Sequence, residues 1–347
     1  MKKMHSLVIA AGAMAIGAAA NAANFMPYGN SVSAYAISGI QHNISKRALG
    51  GIWNNKLTNI TSDTEYSDPD EYGSMLYYGE FGDDTGILPM IGRSGGDEYA
   101  SGHIGVDWSH FADEIKFHGL PNMDSDSDTA TVSFAPRSGA VDFEVFGGYA
   151  GHHSRNSSLD VDGDGGFVGI ASGVEFEGFH IGFVADAGIL ATRVETLDAS
   201  RRFENVWVAF AAGAGYNHDL AQGIKMHIGV NGGYTWVNAP NYVSNAGENI
   251  DVTNFGIFEV TPTLGIIGDL GSGWRAAATV DYVMNFTTGG KTTVDYVGWA
   301  NRNGKDYIEY GIELGRSIDD FELAINIGRH DFGRTGWHGG IKINYLF

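Results

Sequence analysis

Along much of this chain, apolar and polar residues alternate one for one. The last stretch shows it most clearly: Trp337, Gly339, Ile341, Ile343, Tyr345 and Phe347 share one face, and His338, Gly340, Lys342 and Asn344 the other. The same alternation runs through 224–236, 274–286 and 321–327, and a period of two marks a strand with two different faces. Most of these runs reach the ~9–11 residues that a tilted strand needs to cross a bilayer. They exceed the ~5–6 residues usual for a soluble strand. Aromatics gather near the run ends, where membrane barrels carry interfacial girdles.

The breaks between runs also alternate. Counting back from Phe347, 317–320 is short and 287–305 long, 269–273 short and 237–253 long. Then 219–223 is short and 197–205 intermediate, 177–178 tight and 152–166 long. A soluble sandwich alternates along its strands as well, but it has no reason to keep that parity. Outer-membrane barrels keep it, with short inner turns and long outer loops. Eleven strands are read from Thr129 onward, and 73–81, 102–110 and 114–119 alternate upstream. Accepting one of the three gives twelve strands, and accepting all gives fourteen; both are even, as expected of a single-chain barrel. Loop parity tips the reading to fourteen, with 111–114 and 136–140 as inner turns. The expected fold is all-β: an antiparallel transmembrane β-barrel of 12–14 strands over 71–347, most secure over 128–347.

Ahead of it lies an N-terminal segment, 23–70. Val32, Ala36, Ile40, Ile44 and Ala48 fall at i,i+4 spacing and predict a helix over 31–49, weakened by Gly39 and ended by Gly50-Gly51. So polar a helix suits a water-filled lumen; a periplasmic tail without fixed structure is the alternative. Residues 1–22 have the basic start, short apolar core and Ala20-Asn21-Ala22 small-x-small end of a cleaved signal peptide.

Composition closes other routes. The chain has no Cys, which removes disulfides and thiolate metal sites. Mean hydropathy is −0.12 despite 12% aromatic residues and 51 glycines among 347, and no run after the signal is long and apolar enough for a spanning helix. A membrane protein with this pattern must be a closed barrel, since hydrocarbon tolerates no unpaired backbone, and the compartment expected is the outer membrane of a Gram-negative bacterium. Net charge of −20 argues against nucleic acid as a partner. By alternation Asp142, Glu144, Glu175, Asp186, Glu259, Asp281, Glu309, Glu313 and Glu322 face the lumen, against Lys225, Arg275 and Lys342. An open pore with that lining prefers cations.

Gly147-Gly148-Tyr149 closing an early strand, the Glu177-Gly178 turn and Ala212-Gly213-Ala214-Gly215-Tyr216 make 140–347 resemble an autotransporter β-domain. Tyr307-Ile308-Glu309-Tyr310-Gly311 with Arg316, and the terminal Asn344-Tyr345-Leu346-Phe347, extend the resemblance. It implies a type V secretion translocator, a barrel with a helix ahead of it. Only about 50 residues separate Ala23 from the first alternating run, which leaves no sizeable passenger. Ile341, Ile343, Tyr345 and Phe347 resemble the signal read by the barrel-assembly machinery, whose physical basis is β-augmentation of an unpaired last strand. The implied partners are outer-membrane lipid, that machinery and periplasmic chaperones.

No cofactor, metal or catalytic site is predicted. Asp160-Val161-Asp162-Gly163-Asp164-Gly165 starts like a calcium loop, but Ala171 stands where an EF-hand needs a bidentate Glu. Asp124, Asp126 and Asp128 form a second acidic stretch, and His152, His153 and Arg155 read as solvated loop residues. H-E-x-x-H does not occur. The leading functional expectation is a non-catalytic structural, surface or transport barrel. A small cation-preferring porin and a rim-active hydrolase are the alternatives.

Overall fold

The computed structural model describes residues 28–54, 102–118, 121–136, 141–176, 178–196, 200–243, 247, 249–294, 297–299 and 304–347. The expected signal peptide and the alternating run at 73–81 lie outside them. Among the described residues one helix, α1 (Gly29–Asn54), comes first, followed by β1 (His103–Ile115), β2 (Met123–Ala135), β3 (Asp142–Arg155) and β4 (Leu159–Phe176). Next come β5 (Phe179–Thr196), β6 (Ser200–Ala221), β7 (Ile224–Val237), and the short β8 (Tyr242–Val243) and β9 (Asn249–Val252). β10 (Phe255–Gly271) and β11 (Trp274–Gly289) precede the short β12 (Thr292–Val294) and β13 (Val297–Trp299). The chain ends with β14 (Tyr307–Ile318), β15 (Phe321–Phe332) and β16 (Arg334–Leu346). No described helix is long and apolar enough to cross a membrane.

Twelve strands close into one antiparallel barrel, each long strand beside its neighbour in sequence, with β1 meeting β16 at the seam. The seam runs in unbroken register from His103↔Leu346 to Ile115↔Arg334. Just beyond it, Gly102 and Phe347 exchange backbone hydrogen bonds of 3.0 and 2.9 Å. The fourteen-strand preference is therefore corrected to twelve. There is no turn at 111–114: Asp107, Phe111, Asp113 and Ile115 are all buried on one side of a single strand.

The periplasmic end is set by the tightest turns. Gly178 and residues 222–223, 272–273 and 319–320 lie in connections on the side where Phe347 lies, and short turns belong inside. Ser272 and Gly273 both have left-handed φ, 53° and 75°, as a type I′ hairpin requires. At the other end the connections 238–254 and 290–306 carry β8, β9, β12 and β13, which form a small four-stranded sheet at the outer mouth. The long loop expected at 152–166 is mostly strand: β3 and β4 pair through Arg155↔Asp160, so only 156–158 connect them. The Asp, Gly and His of that region continue the ladder above the bilayer, where outward-facing residues meet water.

Outside, Ile104, Val106, Val132, Ile170, Leu264, Ile312 and Ile325 are exposed, as residues facing lipid must be. On β11 the exposed Trp274 and Phe286 are twelve residues apart. At ~3.3 Å per residue and a tilt near 40° they stand about 30 Å apart in height, close to the apolar band of such barrels. Phe134 stacks on Phe347 at 6.2 Å, and Phe321 packs against Tyr345 at 5.2 Å, within the periplasmic girdle.

Inside, large and small residues are paired across strands. Trp207, fully buried, lies opposite Gly188, where a Cβ would sit 2.1 Å from the indole. Gly188→Ala should therefore lower the unfolding midpoint, by about 1–3 kcal/mol as for other overpacked sites. Gly268→Ala, at a position with nothing within 4 Å of the added Cβ, should stay within about 0.5 kcal/mol of the parent. Denaturant titration in lipid vesicles reads both, and equal effects would show that the indole does not depend on that space.

Candidate functional site

A twelve-stranded barrel is wider than the ~8 strands that side chains alone can fill. Here α1, with an overall diameter of ~10–12 Å, occupies the lumen. Its composition is poor for an isolated helix, with Gly29 and Gly39 and several Ser and Asn. Most of its described side chains are nonetheless buried, on every face. Apolar Val32, Ile37, Ile40 and Ile44 belong to the main buried cluster, with Phe146, Phe167, Leu190 and Trp207 of the wall. The helix runs past Gly50-Gly51, where the sequence predicts its end, to Asn54. Its start lies outward: Gly29 abuts Val194 near the outer end of β5. Its Arg47 reaches Asp107 and Glu144, toward the periplasmic ends of β1 and β3.

Successive turns are tied to different walls. Ser33 donates to Asn205 Oδ1 at 2.8 Å, and Thr192 donates to the same oxygen at 2.8 Å. The Tyr35 hydroxyl bonds Thr287, and its ring meets Phe117 edge-on at 5.4 Å. Gln41 donates to Asp186, which also accepts from Trp207 Nε1 at 3.0 Å. Asn43 donates to Ser109 and to Thr129 Oγ1. Gly39 leaves room for Arg334, whose guanidinium would collide with a Cβ there and which donates to the Tyr35 carbonyl at 3.4 Å.

The strongest ties are ionic. Lys46 bridges Asp281 and Glu309, the latter at 2.6 Å. Arg47 lies between Asp107 at 3.2 Å and Glu144 at 3.4 Å, and over the Phe146 ring at 5.0 Å. His42 Nε2 is 3.2 Å from Glu309. Two adjacent helix cations thus engage four wall carboxylates, Lys46 those of β11 and β14 and Arg47 those of β1 and β3. Each cation neutralises charge that would otherwise be buried alone, the costliest arrangement for an ion.

Of the wall charges singled out by alternation, Glu144, Asp186, Glu259, Asp281 and Glu309 are buried against α1 or its contacts. Arg275, Glu322 and Lys342 are buried lower in the barrel, with Arg275 3.5 Å from Glu322. Glu313 is half-buried, and Lys225 sits near the periplasmic rim 3.8 Å from Asp219. The side chains of Asp142 and Glu175 lie outside the described residues. Sequence reasoning missed Lys46 and Arg47, because a helix offers no period-two pattern to assign them a wall. It also missed Asp107, Asp113, His330 and His338, although all four share the polar parity of their strands. The acidic stretch at Asp124, Asp126 and Asp128 lies on β2, with Asp128 3.0 Å from His110. His152 points inward and is buried, while His153 lies 3.6 Å from Asp160 and also contacts Asp162 on β4. The solvated loop read for these histidines is therefore ordered strand.

A closed barrel with a lipid-facing wall, a charged lumen and a helix threaded through it defines an outer-membrane β-barrel with the autotransporter translocator fold. Among solved structures, the translocator domain of NalP from Neisseria meningitidis superposes with a TM-score of 0.62 at 10% identity, over 71% of this chain and 89% of that one. The transport unit of AIDA-I from Escherichia coli gives 0.61 at 11% identity, covering 86% and 98%. The β-domain of Bordetella BrkA gives 0.56 at 10%, covering 71% and 99%. At these identities the likeness is one of fold. No protein-family model and no curated protein matches the chain.

Lys46→Met should strip Asp281 and Glu309 of their helix cation and weaken docking of α1 by about 3 kcal/mol, as for other broken buried pairs. Hydrogen exchange along α1 should then accelerate while the barrel amides keep their protection. Asp281→Asn in the same chain should recover part of the loss, and strict additivity of the two changes would exclude a direct pair.

Proposed function

We propose that this chain is an autotransporter-type barrel, a structural, surface-exposed or transport component of the outer membrane that carries out no catalysis. The observation that carries this reading is the seating of α1: a resident helix fixed by Lys46 and Arg47 across the lumen acts as a plug. A diffusion porin needs an open lumen, and α1 fills the one described here. The outward position of Gly29 would present whatever precedes the helix at the cell surface. Assembly would use the terminal strand as its signal: Ile341, Ile343, Tyr345 and Phe347 are exposed on the lipid side of β16, ready for β-augmentation by the assembly machinery before β1 closes the seam.

Single-channel recordings test the plug. Full-length protein should be closed, and protein lacking 23–49 should open a cation-selective pore, because Asp107, Glu144, Asp281 and Glu309 lose the helix cations. Steady conductance in both proteins would restore the porin reading, and anion selectivity would contradict the charge argument. Turnover of peptide or phospholipid by the refolded protein would overturn the non-catalytic reading.

A further inference from the structure

Glu309, His330 and His338 place one carboxylate and two imidazoles on neighbouring strands of the lumen wall. Glu309 and His330 are direct cross-strand partners between β14 and β15. His338 enters from β16, opposite Gly328, where a Cβ would sit 2.1 Å from its Nε2. That glycine lets the His338 ring lie over the wall, stacked on His330 at 4.8 Å. Both Nε2 atoms turn to the same carboxylate, His330 at 3.3 Å from Oε2 and His338 at 3.3 Å from Oε1.

We propose that these three side chains form a binding site for one divalent transition-metal ion of the zinc type. The ligand atoms all lie within 4.8 Å of one another. Two ligands ~2.0–2.1 Å from a tetrahedral Zn²⁺ are about 3.3 Å apart, and each imidazole lies at that distance from a different oxygen of the Glu309 carboxylate. His330 is 1% exposed, and neither its Nε2 nor that of His338 makes a hydrogen bond. The other ring nitrogen of His330, Nδ1, lies 2.8 Å from Asp113 Oδ1. A carboxylate at Nδ1 fixes the tautomer that leaves Nε2 free to ligate, the usual support of a metal-bound histidine. Asp113 has the space for this because Gly336 faces it; a Cβ there would lie 2.5 Å from its Oδ1.

Local charge points the same way. Glu309, Asp281, Asp113 and Glu259 surround the site, against the permanent cations Lys46 and Arg334. Four carboxyl groups thus face two permanent cations, an excess of two acidic groups. A divalent ion cancels that surplus. Lys46 also pairs with Asp281, so it does not depend on Glu309 alone. A cavity of about 90 Å³ lined by Glu309, His338 and Lys46 adjoins the site and supplies room for a water as fourth ligand. The site is built wholly from the wall and does not rest on the plug reading.

The test is metal binding by the full refolded chain. Chelator-stripped protein incubated with Zn²⁺ should retain one ion per chain after desalting, and Co²⁺ should give the intense visible absorption of a tetrahedral site. His330→Gln and His338→Gln should each weaken Zn²⁺ at least tenfold. Asp113→Asn should weaken it about tenfold, within the range seen for outer-shell partners. Heat-modifiable gel mobility confirms that each variant retains its barrel. His153→Gln removes the rim cluster with Asp160 and Asp162, the other described group of metal-ligating type, and should change nothing. No retained zinc, or zinc lost with His153→Gln and kept with His330→Gln, would overturn the assignment.

Discussion

A peptide group in hydrocarbon has no water to bond, so its N–H and C=O must find another strand. Closure of β1 on β16 meets that demand and fixes nearly everything else. With twelve antiparallel strands in register, broken only by irregularities at Asp219/Ala221 and Asp269/Gly271 beside inner turns, every second residue turns into the lumen and the rest turn to lipid. The Gly102–Phe347 pair extends the seam past its last strand residues. A shift of one residue at that seam would exchange the lipid-facing and lumen-facing residues of β1 relative to β16. The apolar face of Ile341, Ile343 and Tyr345 and the polar face of Lys342 and Asn344 therefore specify the register as well as the location.

The lumen created by closure is neither core nor solvent. It is too wide for wall side chains to fill and too enclosed for carboxylates to be fully hydrated. The helix resolves both problems. Its Val32, Ile37, Ile40 and Ile44 fill volume, and its Lys46 and Arg47 supply countercharge where Asp281, Glu309, Asp107 and Glu144 converge. In isolation such a sequence would form little helix, since nucleation is costly and Gly, Ser and Asn favour other conformations. Wall and helix are consequently interdependent: the helix takes its shape from the cavity, and the wall charges take their partners from the helix.

How much of this was legible in the sequence follows from the periodicities. Strands β2 to β7, β10, β11 and β14 to β16 announced themselves by strict alternation, and so did the inward direction of Glu309 and Asp281. Twelve strands lie within the expected 12–14; the preference for fourteen fails at Phe111–Glu114, where Ala112 and Asp113 resemble a break although their burial continues the alternation. The extent of β3 and β4 was hidden because outward-facing residues above the bilayer, such as His153, Asp160 and Asp162, are polar on both sides of the ladder. Sites that depend on convergence were not legible. Lys46, Glu309, His330 and His338 are brought together by a helix docking in the lumen and by strand neighbours, neither of which a linear pattern encodes.

Glycine placement connects these levels. In a wall that must admit a helix, bulky inward side chains need somewhere to lie flat. The structure provides it by setting glycines opposite them: Gly188 under Trp207, Gly328 under His338 and Gly336 beside Asp113. The helix does the same for the wall, with Gly39 receiving Arg334. In a soluble strand these glycines would only weaken the ladder. In this barrel they decide which side chains lie along the wall, how closely the helix approaches and which polar atoms meet. The abundance of glycine thus reflects the packing demand of a filled lumen as much as that of the turns.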